Sequence, residues 1–185
     1  IATMKLLFHD VQEHLTQVQS EFLGKYDKAL GILNEAGEEV RRVSHNLVSG
    51  ALKNLGLEAA IKELADTIQQ SESVQFKFIC YGLEDRLNIQ QESHLYRIVQ
   101  EMVSNTLKHA KATEIELQLL RDNGRLNLIY EDNGVGFNPD EDSGGMGIKG
   151  ISSRVDGLEG TFDIDSGKGA GTTYNITIPI KKTPK

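Results

Sequence analysis

The sequence predicts an α+β fold: a two-layer α/β sandwich with a mixed sheet, preceded by an antiparallel helical hairpin. Three observations predict it. Apolar residues recur at helical spacing through the first third. Strands marked by alternating apolar and polar residues, four of them in two hairpins, lie in the remainder. Amphipathic helices separate those strands, the order expected of a sheet covered on one face. The hairpin is assigned to residues 1–55 and the sandwich to residues 56–185.

The hairpin comes first. Ile1, Met4, Phe8, Val11, Leu15, Val18 and Phe22 are spaced alternately by three and four, a heptad seam that Gly24 breaks. Tyr26, Leu30, Leu33, Gly37, Val40, Ser44 and Leu47 make a second seam. Gly31 and Gly37 each cost about 1 kcal/mol against alanine, so the second helix depends on packing. A two-helix hairpin leaves its seam open. A homodimeric four-helix bundle covers it most economically, and packing onto the rest of the same chain is the alternative. After Gly56, the residues Leu57, Ala60, Ile61, Leu64, Ala65 and Ile68 make a third, shorter helix.

In the sandwich, Val74, Phe76, Phe78 and Cys80 alternate with Gln75, Lys77, Ile79 and Tyr81, a strand. Residues 90–109 read as one helix, with Leu95, Ile98, Val99, Met102, Val103 and Thr106-Leu107 on its buried face. Ile115, Leu117 and Leu119 mark a strand, and Leu126, Leu128 and Tyr130 its partner. Asp122-Asn123-Gly124 turns between them, since Asn-Gly supplies positive φ angles. The same tripeptide recurs at Asp132-Asn133-Gly134 with no strand following closely, so a tight hairpin does not explain the second copy. Residues 148–158 read as a helix, and residues 161–165 and 172–180 as two strands around a glycine-rich turn.

Composition narrows the function. Hydrophobic content of 38% and charged content of 25% are those of a globular protein. No apolar run approaches the roughly 20 residues that cross a bilayer, so no membrane contact is expected of these residues. A net charge of −7 argues against nucleic acid as a partner. The single cysteine, Cys80, lies in a strand pattern and reads as a buried structural thiol. Lack of a disulfide framework fits a cytoplasmic setting. Five scattered histidines and one cysteine give no metal-ligand spacing.

Three polar stretches carry the chemistry. Glu101, Asn105, Lys108 and His109 fall on one helical stripe. A solvated charged face explains most such stripes, but Asn is a poor interior helix former and its carbonyl oxygen suits Mg²⁺. Lys108 and His109 offer charge and a hydrogen bond to phosphate. Asp132, at a strand end, offers an acceptor to an exocyclic amine such as adenine's, and Gly134 and Gly136 permit close backbone approach. Residues 145–150 fit the dinucleotide string G-x-G-x-x-G but follow a polar acidic segment rather than a buried strand, which rejects that reading. What remains is a glycine-opened helix start suited to phosphate, with Gly145 and Gly147 as candidates, and a flexible lid. Thr172 or Thr173 begins the last strand within reach of supporting a carboxylate.

Together these stretches resemble the ATP-binding domain of a two-component sensor histidine kinase, in the Bergerat superfamily that includes DNA gyrase, mismatch-repair ATPases and a heat-shock chaperone. The resemblance rests on residues 95–101 with Asn105 and Lys108-His109-Ala110, on residues 55–60, on Gly147-Ile148-Lys149-Gly150-Ile151 with Arg154, and on residues 169–173 before Ile178-Pro179. It points to the subfamily with the shorter dimerisation and phosphotransfer domain. The resemblance implies ATP and Mg²⁺ as cofactors, with Asn105 on the metal and Glu101 organising that site. It implies Lys108 and His109 facing the phosphates, Asp132 reading the adenine amine beside Gly134 and Gly136, Gly145 and Gly147 at the lid end, and Thr172 behind Asp132. It implies a homodimer that transfers the γ-phosphoryl of ATP to a histidine and then to a response regulator. The chain opens at Ile1 without a methionine and is expected to be a fragment. The acceptor is expected upstream of Ile1, with His9 and His45 as the alternatives within the chain. A catalytically inactive nucleotide-binding switch and a serine-directed kinase of the same superfamily are the competing readings.

Overall fold

Five strands form one mixed sheet, and the helices lie against one of its faces. The computed structural model describes residues 50–71, 74–139 and 146–180. The chain divides into two units, Ile1–Leu47 and Val48–Lys185, and the described residues belong to the second. The predicted helical hairpin, as far as Ser49, lies outside the described residues, and so do His9, His45 and Gly145.

In chain order the elements are α1 (Gly50–Leu55), α2 (Leu57–Ser71), β1 (Gln75–Tyr81), α3 (Ile89–Asn105), a π-helical turn (Thr106–Ala110), β2 (Glu114–Asp122), β3 (Arg125–Asp132), α4 (Met146–Gly157), β4 (Thr161–Ser166) and β5 (Thr172–Pro179). The strand order is β1-β2-β3-β5-β4. β1 and β2 run parallel, and α3 fills the long crossover that a parallel pair requires. The other neighbours are antiparallel. The predicted α+β two-layer sandwich is therefore the observed one over these residues.

Alternation in the sequence becomes two chemically different faces. Phe76, Ile115, Leu117, Leu119, Leu126, Leu128, Tyr130, Ile176 and Ile178 are buried under the helices. Leu95, Ile98, Val99 and Met102 of α3, Ile61 of α2 and Ile151 and Val155 of α4 meet them. Each such aliphatic side chain contributes about 2 kcal/mol when fully buried. The opposite sheet face carries the Lys77–Glu116 ion pair and the exposed Tyr81.

Local chemistry fixes the element ends. Asn88 caps α3, its side-chain oxygen accepting from the Gln91 amide at 2.9 Å. Asn123 and Gly124 take φ values of 48° and 76°, the tight two-residue hairpin that their sequence predicts. Arg86 donates to both oxygens of the buried Glu92 carboxylate, at 2.7 and 2.5 Å, and to the Leu52 carbonyl at 2.9 Å. That ion pair ties α1 to the start of α3. Nothing in the hydrophobic pattern announces it.

Candidate nucleotide-binding site

The site begins where α3 ends. The sequence predicts one helix through His109, but the α-helix stops at Asn105 and a π-helical turn carries the chain to Ala110. Lys111, at φ 50°, ends it. The wider turn departs from the 3.6-residue period on which the prediction rests. Thr106 and Ala110 go inward, while Leu107, Lys108 and His109 are exposed. Leu107 therefore leaves the buried face predicted for it. Turns of this kind recur at functional sites.

Thr106 is the residue that the turn puts to use. Its hydroxyl donates to Asp132 Oδ2 at 2.9 Å. The Tyr130 hydroxyl in turn donates to Thr106 Oγ1 at 2.8 Å. The Gly134 amide donates to Asp132 Oδ1 at 2.9 Å. Asp132 is buried, at 8% exposure, yet both of its carboxylate oxygens are partnered. Burial pushes the Tyr130 phenol well above its ordinary range, which keeps that hydroxyl a donor.

Behind Asp132 the loop of residues 133–137 is clamped by its neighbours. Asn133 accepts from the amides of Thr113 and Glu114 at 2.9 and 3.0 Å and donates to the Thr113 hydroxyl at 2.9 Å. It anchors the entry to β2, which is why this second Asp-Asn-Gly makes no hairpin. A Cβ on Gly134 would lie 2.5 Å from the Ala110 carbonyl oxygen. Gly136, at φ 60°, packs against the Gly167 and Gly171 carbonyls, and the Gly169 amide donates to the Val135 carbonyl at 2.6 Å. Both glycines are thus required by the chain's own packing. Thr172 sits opposite Asp132 in the β3–β5 register. Its hydroxyl lies 3.1 Å from that of Ser166, which also accepts from the Phe137 amide at 3.0 Å. The hydroxyl on Asp132 comes from Thr106 rather than Thr172.

At the other end, α4 opens directly against α3. A Cβ on Gly147 would lie 2.5 Å from Glu101 Oε1 and 3.2 Å from either terminal atom of the Asn105 amide. Glu101, Asn105 and Gly147 are thereby brought together. Lys108 and His109 stand exposed on the adjoining turn. Among the described residues no three His, Cys, Asp or Glu side chains cluster as metal ligands. The residues present nonetheless fit Mg²⁺, which is commonly held by one or two protein oxygens together with nucleotide phosphates and water. Glu101 and Asn105 supply hard oxygens side by side.

Thr106, Tyr130, Asn133 and Ser166 escape the sequence reading as polar partners in this site. A weak signal exists for two of them. Thr106 is a hydroxyl at a buried helical position directly after Asn105, and Tyr130 precedes Asp132 by two on the same strand face. For Asn133, and for the Phe137 contact of Ser166, the partners lie about 20 to 30 residues away, and local sequence carries no trace of them.

A buried, hydroxyl-held aspartate thus lies beside the helix turn on one side and an amide–carboxylate pair on the other. Residues 90–182 match the family model described as histidine kinase-, DNA gyrase B- and HSP90-like ATPase, and the chain belongs to that family. Its curated relatives include sensor histidine kinases. It is 33% identical over 157 residues to the sensor histidine kinase MctS of Rhizobium johnstonii, covering 83% of this chain and 34% of that protein. It is 38% identical over 137 residues to the signal transduction histidine-protein kinase/phosphatase DegS of Bacillus subtilis, covering 70% of this chain and 36% of that one. The chain thus spans about a third of these two relatives. The histidine kinase domain of the Erythrobacter litoralis blue-light activated histidine kinase superposes with a TM-score of 0.57 at 23% identity, covering 67% of this chain and 61% of that one, a likeness of fold. Among the described residues, no helix is long and apolar enough to cross a membrane.

Proposed function

We propose that this chain binds ATP with Mg²⁺ and directs its γ-phosphoryl to a histidine, from which a response regulator receives it. ATP supplies the transferable phosphoryl group, and the chain supplies position and charge. In this reading Asp132 accepts a hydrogen bond from the adenine amine, beside Gly134 and Gly136. Asn105 offers its carbonyl oxygen to the metal and Glu101 holds the adjoining carboxylate. Lys108 and His109 neutralise and hydrogen-bond the phosphates. Gly147, with Gly145 outside the described residues, brings the start of α4 to the phosphate end, and Thr172 closes the base end through Ser166. A homodimer working in the cytoplasm completes the proposal.

One observation carries this reading. Asn105 and Thr106 are consecutive, yet Asn105 meets the opening of α4 while Thr106 grips Asp132. The end of one helix therefore adjoins both the start of α4 and the Asp132 network, which supports reading the two as ends of one nucleotide site.

The test is to incubate the full-length protein with γ-labelled ATP and Mg²⁺. Acid-labile, base-stable phosphohistidine is expected, and mapping the label decides between His9, His45 and a histidine upstream of Ile1. Label appearing only on serine, or no label while ATP still binds, would replace this reading with the serine kinase or the inactive switch.

A further inference from the structure

Resting on the reading of Asp132 as the carboxylate that meets the base, we propose that Thr106 and Tyr130 are positioning residues that set a preference for 6-aminopurine over 6-oxopurine nucleotides. The chain of hydroxyls has a direction. Tyr130 gives its proton to Thr106 Oγ1 at 2.8 Å, and Thr106 gives its single proton to Asp132 Oδ2 at 2.9 Å. The Gly134 amide gives its proton to Oδ1 at 2.9 Å. Every proton around Asp132 points at the carboxylate, so its remaining lone pairs accept from a ligand and have no proton to offer one.

Adenine places an N–H donor at its 6-position, and hypoxanthine and guanine place a carbonyl oxygen there. The first completes the network. The second sets two acceptors against each other in a poorly solvated site, where an unpaired polar group is costly. The relay also fixes the plane of the carboxylate, because its two oxygens are held from different elements: the π-helical turn and the loop after β3. Without Thr106 the Asp132 side chain is held by the Gly134 amide alone and is free to turn. Tyr130 is fully buried and Thr106 is 2% exposed, so solvent does not replace either partner.

The experiment measures the affinities of ATP and inosine triphosphate for the whole chain by titration calorimetry. Thr106→Val alone would strand the Tyr130 hydroxyl, so the main variant is Thr106→Val with Tyr130→Phe, which removes both partners together. Its preference for ATP over inosine triphosphate should fall by about tenfold, chiefly through weaker ATP binding, with little change in melting temperature. Thr106→Ser should keep the preference within about twofold, because it retains the donor, and Tyr130→Phe alone should lower it by a smaller factor. An unchanged preference in the double variant, or an equal loss of both nucleotides, overturns the proposal. Asp132→Asn separates the two readings. If it abolishes the preference while the double variant keeps it, the relay is wrong and Asp132 still reads the base. If Asp132→Asn keeps the preference, the assignment of Asp132 falls and the relay with it.

Discussion

Gly147 lies so close to Glu101 that a Cβ on the glycine would stand 2.5 Å from Glu101 Oε1. The first turn of α4 and the last turns of α3 touch through a missing side chain. That contact brings the glycine-rich helix start to the Glu101–Asn105 pair, and it makes this end of the site sensitive to a single methyl group.

Gly147→Ala should therefore weaken binding of Mg²⁺-ATP by about tenfold, with little change in thermal stability. The atom it strikes is the far end of a flexible side chain, which moves aside at small cost to the fold but takes the carboxylate with it. Calorimetry and a thermal melt on the same sample check both halves. A large drop in melting temperature would show that the contact supports folding instead.

The two copies of Asp-Asn-Gly should respond differently to alanine. Gly124, at φ 76° with open space around it, turns a hairpin. Gly124→Ala should cost about 1 kcal/mol of stability and leave nucleotide affinity alone. Gly134→Ala drives a methyl into Ala110 and toward Asp132 Oδ1, and should cost about 2–3 kcal/mol and lower ATP affinity as well. Denaturant melts with and without ATP distinguish them.

Arg86→Met should destabilise the sandwich by about 2–3 kcal/mol, because it leaves the Glu92 carboxylate buried without its cation; the partial exposure of Arg86 keeps the loss below that of a fully buried pair. Replacing both residues, as Arg86→Met with Glu92→Leu, should recover most of the loss. A double variant less stable than the single one would show that the pair contributes more than charge compensation.

Cys80 should react slowly with iodoacetamide in the folded protein. Burial first, and then the neighbouring Glu58, push its thiol up to about 12 from an ordinary 9.0. Tyr174 is likewise pushed up to about 12 by burial. Both groups bind their protons more tightly when folded. The stability they contribute is complete below the unfolded values, near pH 9 for Cys80 and near pH 10 for Tyr174, and is lost as pH rises toward 12. At pH 9 alkylation should be at least about tenfold slower in buffer than in denaturant. Equal rates would mean that the thiol is open.

The sequence makes legible whatever depends on period and turn chemistry. Phe76 and Phe78 alternate inward as predicted, and Asn123-Gly124 turns where expected. The contrast between the two Asp-Asn-Gly copies is visible from spacing alone, and so is the Glu101–Asn105 pair. Thr106 is legible as a buried hydroxyl, but Asp132 as its partner is not, because the contact joins residues 26 apart in sequence. The Arg86–Glu92 pair is not legible either, because the pattern assigns a charged residue such as Glu92 to the surface and the fold buries it. The link from Ser166 to Phe137 joins the end of β4 to the loop after β3, which only the folded sheet brings together.

The division of the site between Asn105 and Thr106 is tested most directly by the Mg²⁺ dependence of ATP binding. Titrating ATP into the chain and into Asn105→Ala, each with Mg²⁺ and with chelator, should show tighter binding with Mg²⁺ in the first by tenfold or more. Asn105→Ala should retain only the weak, metal-independent affinity that the Asp132 end provides. Equal Mg²⁺ enhancement in both proteins would contradict the account and move the metal away from Asn105.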